Sequence, residues 1–131
     1  MTKISCKYTG DGLNLLEHSD NGVKIQTDLP RDNGGKGRCF SPTDLFASSL
    51  AACALTIMGK MAEARGKSIA GTKVDVEKVM GSDPRRVAKI SMKFTFPASV
   101  DETDKQKYLA LIHACPVHNS LDKNVEVEIL A

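Results

Sequence analysis

Tryptophan is absent from this chain, and only two tyrosines and four phenylalanines occur among its 131 residues. So sparse an aromatic content leaves no platform on which nucleic-acid bases could stack. Charge of one sign is equally scarce. Eighteen Lys and Arg face sixteen Asp and Glu for a formal +2, and no basic run stands out. Neither nucleic acid nor an anionic membrane surface is therefore an expected partner. The stretch from Met1 to Tyr8 lacks the apolar segment of a secretory signal. The longest apolar run, Leu50 to Met58, is interrupted by Thr56 and followed by Gly59 and Lys60. It is too short to cross a hydrocarbon layer of about 30 Å. With no export signal, Cys6, Cys39, Cys53 and Cys115 read as reduced thiols in a cytoplasm. One domain, residues 1–131, is the expectation at this length.

What the chain does contain is strong local punctuation. Ile4, Cys6 and Tyr8 alternate with polar neighbours, which is the period of a half-buried strand and puts Cys6 in the core. Leu13 to Glu17 and Val23 to Thr27 flank Asn21-Gly22, a two-residue hairpin signal. Leu29 to Phe40 carries three glycines and no periodicity, so it reads as a mobile loop, and it holds Arg31, Arg38 and Cys39. Ser41, Pro42 and Asp44 then open a helix with an N-cap, an N1 proline and a capping acid, and Gly66 closes it. About 24 residues give a helix of about 36 Å, whose expected inner stripe is Phe46, Leu50, Cys53, Ile57 and Met61.

Two strands follow, one starting at Val74 and Val76. The other alternates through Ala88, Ile90, Met92, Phe94 and Phe96, with Ser82 to Arg85 as the turn. A second helix is expected from Ser99, with Glu102 in the capping-box position, to Cys115, where Pro116 must break it. Val125, Val127 and Ile129 form a last strand. Strands, long helix, strands, helix, strand is an α+β order, with a largely antiparallel sheet and both helices on one face.

The side chains able to do chemistry are few. Cys115 precedes Pro116, so its thiol would cap a new helical turn and meet free N–H groups that lower its pKa. A buried cysteine capping a kink is the equal alternative. Cys53 lies mid-helix, where a cysteine is ordinarily a small hydrophobe. To react it needs a cation, and Lys60 is two turns away, so the candidates are Arg31 and Arg38 from the glycine-rich loop. Asp44 stands nine positions before Cys53, about 13 Å along the helix, and capping is its expected role. His113, Cys115 and His118, with Cys39 as a possible fourth ligand, match no standard zinc spacing. No metal or tightly bound cofactor is expected.

The Gly34-Gly35 loop, Ser41-Pro42 opening a long helix, Leu50 to Cys53 within it, and Cys115-Pro116-Val117 near the end resemble the OsmC/Ohr family of hydroperoxide reductases. The resemblance covers nearly the whole chain. It implies an intertwined homodimer with active sites at the subunit interface. By this likeness Cys53 is the peroxidatic thiol, Cys115 resolves its sulfenic acid as a disulfide, and a dithiol of lipoyl type reduces that disulfide. An arginine, Arg31 or Arg38, would polarise the thiolate. Apolar walls such as Phe46 and Leu50 would favour organic hydroperoxides.

The sequence departs from the pattern in three places. Thr43 stands where members carry a Glu directly after the proline, the acid coming one residue later at Asp44. The strand position of one branch's arginine falls among Leu13 to Leu15, and His118 replaces a small polar residue. These departures suggest a divergent, OsmC-like subgroup, and Thr43 and the missing strand arginine favour the alternative of a non-catalytic dimeric binding protein for a small apolar or thiol ligand.

Overall fold

Period-two alternation at the start of the chain produces three strands. β1 (Ile4–Gly10), β2 (Leu13–His18) and β3 (Lys24–Thr27) form an antiparallel sheet in the order β1-β2-β3, with Cys6 opposite Leu16 and Leu16 opposite Ile25. The computed structural model describes residues 1–131 and divides them into two compact units, Met1–Phe46 and Ala47–Ala131. Within the first unit the sheet has no second layer. Ile4, Tyr8, Val23 and Ile25 are exposed in consequence, and so is Cys6, contrary to the core position its alternation suggested.

The link between β2 and β3 also differs from the two-residue turn expected of Asn21-Gly22. His18 N–H donates to the carbonyl of Val23 at 2.9 Å, and the Asn21 side chain accepts from Val23 N–H at 2.9 Å. Only Gly22 takes positive φ, so the loop is longer than a type I′ turn, which needs it at both centres. The asparagine serves as a side-chain acceptor instead.

α1 (Pro42–Ala64) begins and ends where the sequence says it should. The Ser41 hydroxyl accepts from Asp44 N–H at 3.1 Å, and the Asp44 carboxylate accepts from Ser41 N–H at 2.9 Å, a complete reciprocal cap. At the other end Gly66, at φ +68, donates to Glu63, and Lys67 N–H reaches Ala62. This is the left-handed closure that glycine adopts without a Cβ penalty. By length and mean hydropathy (1.5) α1 would suit a membrane span, but in the second unit it is the core helix.

Its inner face is not the expected stripe. Ala47, Leu50, Ala51, Ala54, Met58 and Ala62 are buried, Cys53, Ile57 and Met61 lie half-buried beside them, and Phe46 is 41% exposed. Four alanines permit close approach of the backbone there, and Leu50 and Met58 share the buried face with them.

The second sheet runs β4-β5-β6, comprising β4 (Lys73–Gly81), β5 (Arg86–Thr95) and β6 (Glu126–Leu130). β4 pairs antiparallel with β5, whereas β6 pairs parallel to it. A parallel neighbour requires a crossover, and the segment between supplies it. That segment holds α2 (Glu102–Ala110), a 3₁₀ turn (Leu111–Ala114) and α3 (Pro116–Asn119).

α2 starts later than expected, because Val100 N–H closes a turn onto Pro97 and Asp101 becomes the cap, accepting from Asp104 N–H at 2.8 Å. Ile90, Met92 and Phe94 point into the core as their alternation required. A bulge beside Val79 and Met80 pairs Met80 with Val87, and it is Val87 that is buried while Ala88 is not. Phe94, Phe96 and Tyr108 stack in series with ring centroids 6.2 and 6.3 Å apart, fastening α2 to the sheet.

Candidate functional site

Helix α1 carries Cys53 on the flank of its buried face, and the break at Pro116 sets Cys115 between the 3₁₀ turn and α3. Because α1 and the crossover segment pack on the same sheet, residues 53 and 115 meet. Cys115 is wholly buried, Cys53 is half-buried and packs against the same core, and its thiol lies close enough to act on that of Cys115. Both are free thiols, as are Cys6 and Cys39.

The electrostatics of Cys115 reverse the expectation. Its backbone takes the extended N-cap conformation, and the N–H groups of Val117 and His118 act to lower its pKa, although no side-chain cap hydrogen bond is completed. Burial acts the other way and more strongly, and the adjacent Cys53 thiol adds to it, so the Cys115 pKa is raised. A four-residue helix offers too little dipole to repay the loss of water around a thiolate. Cys115 is therefore a protonated, shielded thiol at neutral pH. At about pH 7.5, where thiolate content and access decide alkylation, iodoacetamide should label Cys53 well before Cys115 in the native protein. Unfolding should expose Cys115. Peptide mapping by mass spectrometry reads the order, and equal native rates at the two sites would contradict it.

In the first unit the loop from Leu29 to Phe40 is held by a set of internal hydrogen bonds. Arg31–Asn33 forms a 3₁₀ turn. Asn33 and Gly35 N–H groups donate to Pro30, Gly34 N–H to Arg31 and Gly37 N–H to Leu29. Arg38 grips Asp28, with Nε 2.8 Å from Oδ2 and Nη2 3.1 Å from Oδ1, while its own N–H donates to Oδ2 at 2.8 Å. The same guanidinium reaches Asp11 through Nη1 to Oδ2 (3.2 Å) and Nη2 to the backbone carbonyl (2.8 Å). The Asp28 side chain is fully buried. Its hydrogen bonds from Arg38, side chain first and backbone next, outweigh burial and hold the carboxyl far below the usual carboxylate range. Arg31 is exposed, and its Nε donates to the Lys36 carbonyl at 3.2 Å.

Asp28 and Asp11 are the residues that sequence reasoning missed. The signal was faint: one acid at the end of a strand and another in a glycine turn. Asp44 caps α1, as expected. His113 and His118 stand edge to face with centroids 5.5 Å apart, and no group of three His, Cys, Asp or Glu that could hold a metal forms in the chain. Leu50, proposed as an apolar pocket wall, is instead fully buried in the core.

Against known proteins, the OsmC-like protein family matches residues 35–130. No curated protein matches the chain. Among solved structures, a Psychrobacter arcticus 273-4 protein provisionally named as osmotic stress induced and detoxification response is 39% identical. Its TM-score is 0.93 over 99% of this chain and 95% of that one. An organic hydroperoxide resistance protein OsmC from Legionella pneumophila shares 21% identity at TM-score 0.77, over 99% and 95% of the two chains. The organic hydroperoxide resistance protein OhrB of Bacillus subtilis shares 18% at TM-score 0.70, over 99% and 96%. At those identities the last two speak for the fold alone.

Proposed function

Since this chain belongs to the OsmC-like protein family, we propose that it reduces organic hydroperoxides with its Cys53–Cys115 pair, as part of a defence against oxidative stress. The observation that carries this reading is the meeting of two free thiols, one half-buried and one shielded, from positions 53 and 115. The names of the Legionella and Bacillus proteins point the same way.

In the first step the Cys53 thiolate attacks the terminal peroxide oxygen. An S–O bond forms, the O–O bond breaks, and the departing alkoxide takes a proton to leave as alcohol. Sulfur loses two electrons and becomes a sulfenic acid. In the second step the Cys115 sulfur attacks Cys53, an S–S bond forms, and the hydroxyl leaves as water with the Cys115 proton. A dithiol of lipoyl type then supplies two electrons and two protons, restoring both thiols and leaving as its own disulfide.

A raised Cys115 pKa suits the second role. A thiol that stays protonated does not compete for peroxide, and it carries the proton that the leaving hydroxyl needs. One arginine of the glycine-rich loop, Arg31 or Arg38, would steady the thiolate. The exposed apolar residues of the β1–β3 sheet support a homodimer as the working form, and a reducing cytoplasm would keep the resting thiols free.

The test is stoichiometric. One equivalent of cumene hydroperoxide without reductant should lower the intact mass by about 2 Da, and digestion should yield a Cys53–Cys115 crosslinked peptide. A pure binder of apolar ligands, the alternative favoured by Thr43 at the usual Glu position, would leave the mass unchanged.

A further inference from the structure

The tripeptide Asp-Asn-Gly occurs twice in this chain, at Asp20-Asn21-Gly22 and at Asp32-Asn33-Gly34. Asparagine before glycine is the pair most open to attack by the following backbone nitrogen on the carboxamide carbon. Glycine offers no side chain to shield that nitrogen. Both asparagines are exposed, and a Cβ on either glycine would meet nothing within 4 Å. Neither the local sequence nor steric access separates the two sites. The hydrogen bonds separate them.

At the first site both reacting groups are engaged. Asn21 Oδ1 accepts from Val23 N–H at 2.9 Å, and Gly22 N–H donates to the His18 carbonyl at 2.8 Å. Reaction there must give up both bonds, which together close the connection between β2 and β3. At the second site Asn33 ends the 3₁₀ turn, and its carboxamide makes no hydrogen bond. Gly34 N–H donates to the Arg31 carbonyl at 3.2 Å, the longest backbone bond of that loop. One long bond holds the nucleophile, and none holds the electrophile.

We propose that Asn33 is a site of spontaneous self-modification, passing through a cyclic succinimide to aspartate and isoaspartate, while its sequence twin Asn21 is protected. The Gly34 nitrogen forms a bond to Asn33 Cγ, the Cγ–Nδ2 bond breaks, and the Gly34 amide proton departs with Nδ2 as ammonia. Water then opens the ring at either carbonyl, leaving an aspartyl or an isoaspartyl link. No other reactant is required.

The isoaspartyl product routes the main chain through Cβ and Cγ, one atom longer than before. Gly35, the residue after Gly34, has no room to absorb the extra atom. Its N–H donates to the Pro30 carbonyl at 2.9 Å, and a Cβ there would collide with the Leu29 carbonyl. The turn therefore opens, and the loop that carries Arg31 and Arg38 loosens as the protein ages.

The test incubates the full-length protein in warm, mildly alkaline buffer, native and in urea, and follows both peptides by mass spectrometry. Enzymatic methylation counts the isoaspartate. In urea the twins should convert at matching rates. In the native protein Asn33 should run about tenfold ahead of Asn21, as the extra hydrogen bonds at the latter require. Equal native rates, a faster Asn21, or a native Asn33 that stays intact while the unfolded chain converts would each overturn the proposal. Asn33→Gln should silence the site and leave conversion at Asn21 unchanged.

Hydrogen exchange of the loop peptide tests the consequence. Exchange at Gly34 and Gly35 should quicken in aged protein and stay slow in Asn33→Asp, which brings the charge without the longer chain. Should Asn33→Asp loosen the loop as much as ageing does, the added charge and not the added atom opens the turn, and the backbone-extension account is wrong.

Discussion

Replacing Cys53 by Ser should abolish dithiol-dependent consumption of cumene or t-butyl hydroperoxide, and replacing Cys115 by Ser should abolish turnover while sparing the first step. A serine hydroxyl is not ionised at neutral pH and cannot be oxidised to a sulfenic acid, so Cys53→Ser removes the nucleophile itself. A fall of at least about a thousandfold, to the uncatalysed background, is expected when the only covalent catalyst is lost. Cys115→Ser leaves that chemistry intact but strands the oxidised sulfur. One equivalent of peroxide should be consumed in a single burst, and a sulfenic acid should be trapped at Cys53 as its dimedone adduct. Retained turnover in Cys53→Ser would end the hydroperoxide reading. Retained turnover in Cys115→Ser would show that Cys39, or the external dithiol acting directly, resolves the intermediate.

Leu50→Ala should cost about 2–5 kcal/mol of stability, the second large effect. Leu50 is wholly buried among residues of the second unit's core, and it stands one helical turn from Cys53. Truncation opens a cavity that the flanking alanines of α1 are too small to fill, so collapse around it is limited. Ile57→Ala on the half-buried flank should cost roughly half as much, since part of that side chain already meets water. Urea midpoints at constant slope measure both. Equal losses would mean that the flank is as fully covered in solution as the core, as a second copy of the chain would make it.

The difference between the two cysteines shows where local and global physics part company. Sequence proximity to Pro116 suggested a helix terminus that would acidify Cys115. The structure does place the thiol there, with N–H groups facing it. Tertiary packing also buries it completely, and desolvation of a thiolate outweighs what one short turn returns. The same contrast holds for Cys6, whose alternation in β1 was genuine but whose sheet has no second layer in its unit.

Much was determined by residues acting on their neighbours. Ser41, Pro42 and Asp44 set the start of α1 and Gly66 its end, Pro116 set the break, and the alternation along Ile90, Met92 and Phe94 chose their face. Each of these depends on backbone dihedrals or hydrogen bonds spanning only a few positions. Only the folded chain could decide which stripe of α1 faces the sheet, that β6 runs parallel to β5, that Asp28 and Asp11 capture Arg38, and that Cys53 meets Cys115. Those outcomes depend on volumes and charges brought together from far apart in the chain, which local pattern does not encode.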